Sequence, residues 1–292
     1  MQSDIALPSI ELACAVLSYR NEPFLVQAVR SVLDQGTPIE VIVVNSGGGD
    51  VAGRLAAAGL DLPVYNFAQR LYPGAVRNIG VDRTHAPYLA FLAADCLAQP
   101  GWAAARLREH KNGAGAVASL MTNAYPDSLV AWASLLLIHN RRLAATSPRH
   151  RLLYSLSYDR SLLRRFGRFR EDLRAGEDTE FNTRFHGREV TLLATDAVTA
   201  HRYPTRLGAL LQDAFRRGRL QAQTQGALEN LGPRNLVVAL RGPRNVLQAL
   251  VVACRSPSRL RGALLRSWPL VMVAGLAYTA GALSAAGKPE DA

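Results

Sequence analysis

The sequence predicts an α/β protein: a mostly parallel sheet with helices on both faces, followed by a helical C-terminal segment. Two observations carry this. Through the first hundred residues, short continuous apolar runs alternate with stretches of helical periodicity. Strands apolar on both faces belong in a parallel sheet that helices cover. Farther on, residues 267–287, "SWPLVMVAGLAYTAGALSAAG", contain no charged side chain. That meets the roughly 20 apolar residues a bilayer crossing requires.

Each element has its own signal. "LACAVLS" (12–18) is an apolar run suited to a buried strand. "PFLVQAVRSVLDQG" (23–36) places apolar residues at 24, 25, 28, 29, 32 and 33, a helical spacing, with Pro23 at its start and Gly36 as a stop. "IEVIVV" (39–44) is a second strand, rich in β-branched residues, and "GGGD" turns the chain into a helix from about Val51 with Asp50 as N-cap. "LPVYNF" predicts a third strand, "GAVRNIGVDRTH" a helix and "PYLAFL" a fourth strand. In such sheets ligands gather at the carboxyl ends of the strands, and "SYRNE", "NSGGGD" and Asp95 all fall there. Beyond them, "DSLVAWASLLLIHNRRL" (127–143) predicts an amphipathic helix and "TSPRHR" (146–151) a loop. A strand, a helix and the acid-rich turn "RAGEDTEF" (174–181) follow, and then strand-like material ending at His201.

The chain has 292 residues, 49% of them hydrophobic, enough for one large domain or a domain with an appendage. Its 34 Lys+Arg exceed 23 Asp+Glu, a net charge of +11, which suits an anionic partner. The basic runs lack interleaved aromatic residues and any nucleic-acid motif, which argues against a nucleic-acid binder. A sugar nucleotidyltransferase would want a glycine-rich basic phosphate loop near its start, and "LSYRNEP" is not one. Cys14, Cys96 and Cys254 are far apart with no C-x-x-C pair, so neither a zinc site nor a disulfide framework is expected. The first residues lack a basic n-region, so no signal peptide is read and a reducing, cytosolic setting is expected.

Three features are candidates for chemistry. Asp95 ends an apolar strand; it is either a helix cap or loop residue, or one ligand of a metal. Glu177 and Asp178 enter a helix after a glycine, where they either complement its dipole or supply a general base with a neighbour that positions it. His201 is either structural or turned toward the same cleft as Asp95.

Taken in order, "AVLSYRNEP", "EVIVVNSGGGD", "GAVRNIGVDRTHAPYLAFLAADCLAQPGW" and "LRAGEDTEF" resemble the family 2 inverting glycosyltransferases, across roughly residues 12 to 205. The resemblance implies the GT-A fold over 1–222, with a donor-binding half of about 1–100 and an acceptor and catalytic half of about 101–222. Residues 223–292 then form the helical, membrane-associated segment. Tyr19 is implied to pack on the nucleotide base, with Asn21 and Glu22 nearby, displaced by Arg20. Asn45 stands where the family has an aspartate facing the base or ribose. Arg77 and Asn78 match the element beside the diphosphate and sugar. Asp95 matches the last acid of the DxD motif, which holds a divalent cation, Mg²⁺ or Mn²⁺, on the diphosphate; Ala93 replaces its first acid. Asp178 matches the catalytic base, Glu177 is its neighbour, and His201 is a further metal or phosphate contact.

Transfer from a nucleotide-diphosphate sugar to a saccharide or lipid-linked acceptor is therefore expected, in cell-envelope or exopolysaccharide synthesis. The expected location is the cytoplasmic membrane face, because Arg255, Arg259, Arg261 and Arg266 precede the uncharged stretch. Two alternatives stay open: the stretch is a buried or dimer-forming helix, or the domain is an inactive scaffold. "NVLQALVVAC" (245–254) is too short to span and suits the membrane interface or the tail helix.

Overall fold

The apolar runs of the N-terminal half form β1 (Leu12–Tyr19), β2 (Ile39–Ser46), β3 (Val64–Phe67) and β4 (Tyr88–Ala93). β1 pairs in parallel with both β2 and β4, and β2 in parallel with β3. This central position explains why Leu12 through Val16 are wholly buried and apolar without alternation. The computed structural model describes residues 9–143, 156–228 and 238–285. They divide into two compact units: 1–119 with 153–171 and 178–199, and the remainder.

In the first unit, α1 (Leu25–Leu33) buries Leu25, Ala28, Val29 and Val32, the stripe expected from their spacing. α2 (Val51–Ala57) is capped by the Asp50 carboxylate, which accepts from Gly53 N at 3.0 Å. α3 (Pro73–Arg83) starts on its proline, whose missing N–H costs nothing there. Next come β5 (Cys96–Ala98), α4 (Trp102–Lys111), β6 (Ala116–Asn123), β7 (Leu156–Asp159), α6 (Arg160–Phe166), α7 (Glu177–Phe185) and β8 (Thr191–His201). The sheet order is β3-β2-β1-β4-β7-β6-β8-β5. β7 enters antiparallel between β4 and β6, interrupting the parallel pairing.

The second unit holds α5 (Leu129–His139), α8 (Leu207–Leu228), α9 (Arg241–Arg255) and α10 (Ser258–Ser284) around a core that includes Leu135, Leu136, Leu264, Val271 and Tyr278. α5 is not amphipathic as expected. Ala131 through Leu137 are buried without a break, because the helix sits inside this core. The loop expected at 146–151 and positions 286–287 of the uncharged stretch lie outside the described residues. α8 and α10 run antiparallel at backbone contact. A Cβ on Gly218 would lie 2.0 Å from Tyr278 O, and one on Gly281 would lie 2.0 Å from Phe215 O. One helix among the described residues, Leu260–Ser284, is long and apolar enough to cross a membrane.

Candidate active site

The carboxyl ends of β1 and β2 carry the first group of candidates. Tyr19 ends β1 and is 42% exposed. Arg20 takes φ +57, the one positive φ off glycine among the described residues, and its guanidinium lies 5.1 Å from the Tyr19 centroid. Arg70 lies 5.8 Å from that ring and 5.9 Å from the ring of Tyr72. An aromatic platform flanked by cations suits a base joined to a polyphosphate. Gly47, Gly48 and Gly49 all have positive φ, and a Cβ at Gly49 would meet Asn21 Oδ1 at 2.3 Å. Conformation disfavours side chains throughout that loop, and Tyr19 and Asn21 crowd the first and last of its glycines.

Asn45 is fully buried at the end of β2 and donates through Nδ2 to Gly48 O and to Asn66 Oδ1, each at 2.8 Å. Asn66 in turn donates to Gly49 O at 2.8 Å. Asn45 Oδ1 is buried and has no hydrogen-bond partner among the described residues. Glu22 works locally: its carbonyl accepts from Leu25 N and Arg54 Nη2, and its carboxylate from Phe24 N.

α3 and α7 bring the second group together. Arg77 Nη2 lies 3.6 Å from Asp178 Oδ2, both side chains being nearly buried. The Arg77 guanidinium is 5.0 Å from the Phe91 centroid and 5.7 Å from that of Phe169, so a charge is held against an aromatic shelf. Asp178 Oδ1 accepts from Thr179 N at 2.7 Å in the first turn of α7. Glu177, the first residue of that helix, is buried. Both acids thus also meet the dipole requirement. Asn78 is occupied with the segment after α6: Nδ2 donates to Phe169 O and Glu171 Oε1, and Oδ1 accepts from Phe169 N.

Asp95 lies in the two-residue turn between β4 and β5, half-buried, where no helix begins. Helix capping is thereby excluded for it, since α4 starts at Trp102 behind Gly101. The Cys96 thiol lies 3.6 Å from Asp95 Oδ1. A carboxylate at a strand end is a hard oxygen donor, which fits Mg²⁺ or Mn²⁺ completed by water and phosphate oxygens.

His201, in the second unit, stacks on Tyr203 with centroids 4.3 Å apart, and His139 Nδ1 contacts Tyr203 Oη at 2.6 Å. Burial holds His139 well below the ordinary histidine range, with the charges of His201, Arg142 and Arg217 adding to it.

Sequence reasoning missed Arg70, Tyr72 and Asn66, although "YNFAQRLY" (65–72) interleaves aromatic and polar residues after a strand. It also missed Phe91 and Phe169, which as apolar residues read only as core.

Residues 14–167 match the model of glycosyl transferase family 2. No curated protein matches the chain. Among solved structures, it is similar to the mannosyltransferase PcManGT of Pyrobaculum calidifontis in complex with GDP-Man and Mn²⁺, at 17% identity and TM-score 0.62, covering 94% of this chain and 86% of that one. It is also similar to residues 1–349 of S. aureus TarS, at 16% identity and TM-score 0.52, covering 94% and 91%. TarS 1–349 in complex with UDP-GlcNAc aligns at 15% identity and TM-score 0.50, covering 94% and 92%. At these identities the structures share the fold, whereas the family match spans just over half the chain. The chain belongs to glycosyl transferase family 2.

Proposed function

We propose that this protein moves a hexosyl group from a nucleoside diphosphate sugar to an acceptor hydroxyl with inversion, at the cytoplasmic membrane face in envelope or exopolysaccharide synthesis. The observation that carries the proposal is the Arg77–Asp178 pair at 3.6 Å, a carboxylate held at a helix start by a cation stacked on aromatic rings. Two structurally similar proteins are described with GDP-Man and with UDP-GlcNAc, which favours a nucleoside diphosphate sugar as donor.

Asp178 is the base. The acceptor hydroxyl gives its proton to this carboxylate, whose Oδ1 accepts the Thr179 amide and whose Oδ2 faces Arg77. The freed oxygen forms a bond to the anomeric carbon on the face opposite the leaving group. The bond to the diphosphate oxygen breaks with its electron pair, which inverts the centre. Asp95 would hold the divalent cation, which when bound would supply charge stabilisation to the diphosphate. Tyr19, flanked by Arg20 and Arg70, receives the base, and Asn45 Oδ1 accepts a base N–H. Asn21 and Glu22 shape the β1 loop, Asn78 braces the chain that leads to Asp178, and Glu177 supports the start of α7.

Asp178→Asn should lower turnover about a thousandfold, within the range general-base removal spans, with donor binding retained by calorimetry. Undiminished turnover overturns the assignment. Ala93, exposed where the family carries an acid, favours the scaffold reading. Nucleotide-sugar binding without turnover on any donor and acceptor would establish it. A Mn²⁺ titration of His201→Gln shows whether that histidine adds a ligand.

A further inference from the structure

α10 has two faces of opposite character. Leu264, Val271, Ala274, Tyr278 and Ala282 are buried in the second unit, and Leu265, Met272, Val273, Leu276 and Leu283 are exposed, Leu276 at 70%. The exposed residues recur at helical spacing from Leu265 to Leu283, an apolar stripe about 27 Å long. Exposed Arg261 and Arg266 flank the N-terminal end of this stripe. Residues 230–289 include no acidic residue. An apolar stripe with arginines at one end complements an anionic bilayer surface.

The packing decides how it sits there. α10 is bound to α8 by the backbone contacts at Gly218 and Gly281 and by the Tyr278 hydroxyl donating to Gln221. α8 carries Asp213, Arg216 and Arg217, with Arg216 largely exposed. These charges lie beside the C-terminal turns of α10, whereas α9, with Gly242 against Thr279 and Val246 against Gly275, sets exposed Arg244 alongside its apolar stretch; a crossing with this packing intact would carry that charge into hydrocarbon, which is unfavourable. We propose that α10 lies in the plane of an anionic membrane, Leu265 through Leu283 dipping into the headgroup–acyl boundary, and does not cross it. This rests on the membrane contact proposed above and adds its geometry.

The test uses the full chain with preformed vesicles of phosphatidylcholine, with and without phosphatidylserine. Binding should require phosphatidylserine and be released by high salt or alkaline carbonate. Arg261→Gln with Arg266→Gln should weaken it about thirtyfold at about 1 kcal/mol per arginine, and Leu276→Glu about tenfold or more. Leu265→Trp, Leu276→Trp and Leu283→Trp, each quenched by lipids brominated near the headgroup or near the chain end, should report one shallow depth. Depth that changes along the helix, or resistance to carbonate, overturns the in-plane geometry alone. No binding to any vesicle overturns the membrane reading as well. A stable dimer lost in Leu276→Glu assigns the stripe to a second copy and overturns both. Nucleotide-sugar binding by the vesicle-free protein, measured in parallel, keeps these results separate from the enzymatic proposal.

Discussion

Arg77 shows how much one side chain can combine. Its charge faces Asp178, and its plane lies against Phe91 and Phe169. Lysine keeps the charge but offers no plane to stack. Arg77→Lys should therefore lower kcat about tenfold or more, because Asp178 loses its fixed orientation, with little change in melting temperature. Arg77→Ala should cost more in both. Undiminished kcat in Arg77→Lys would show that charge alone positions Asp178 and that the stacked plane contributes nothing. Asn45 makes the converse point. Aspartate is the usual residue of its family there, yet here Nδ2 supplies donors to Gly48 O and Asn66 Oδ1 inside a fully buried site. Asn66 cannot turn its amide over to compensate without losing its bond to Gly49 O. Asn45→Asp should destabilise the protein by about 1–3 kcal/mol through two unmatched acceptors and a buried charge. A denaturant titration reads this, and an unchanged midpoint would show that the loop re-forms around the acid.

α3 is an element that a single atom could dislodge. A Cβ on Gly74 would lie 1.9 Å from Arg170 O, a backbone atom that cannot swing away. The segment it touches is the one Asn78 holds one helical turn farther along α3, and it bears Phe169 of the aromatic shelf. Gly74→Ala should destabilise by about 1–3 kcal/mol and lower kcat with it, whereas Gly59→Ala, with open space but φ +71, should strain only its own turn. Loss of turnover in both, or in neither, would separate this local account from a general one. The same contrast shows what a sequence can disclose. β1, α1, β2 and α3 were legible because strand, helix and cap each signal within a dozen residues, as Asp50 does for Gly53 N. β7 was not legible as an antiparallel insertion, since four residues, "LSYD", carry no sign of the partners β4 and β6. Asp178 could be singled out from the Gly-Glu-Asp run; the arginine and the two phenylalanines around it could not, because folding brings them together from positions 77, 91 and 169.

At the scale of a whole unit, acid sensitivity in the first unit should have two separable sources. His110 is buried in the first unit; Ala114 O can only accept, so Nδ1 carries the proton and Nε2 accepts from the Ser157 hydroxyl. Burial, reinforced by the charge of Arg106 and opposed by the bond to Ala114, pushes its pKa down to about 4. The unfolded chain takes up a proton near pH 6.5 while the folded one does not, so stability is complete above pH 6.5 and falls as pH drops toward 4. The loss over that window is about 3 kcal/mol, or about 6–12 °C in melting temperature for a unit of this size. Carboxylates act later. The hydrogen bond and charge of Arg168 hold Asp82 below the ordinary range, so its contribution persists through this window and is lost only below the normal carboxylate pKa. Thermal unfolding from pH 7 to 4 should therefore show a decline that His110→Gln reduces by one proton's share of the slope, leaving the steeper fall below pH 4 in place. If His110→Gln keeps the full slope between pH 6.5 and 4, the sensitivity resides in other histidines and the buried His110 pair with Ser157 is not its source.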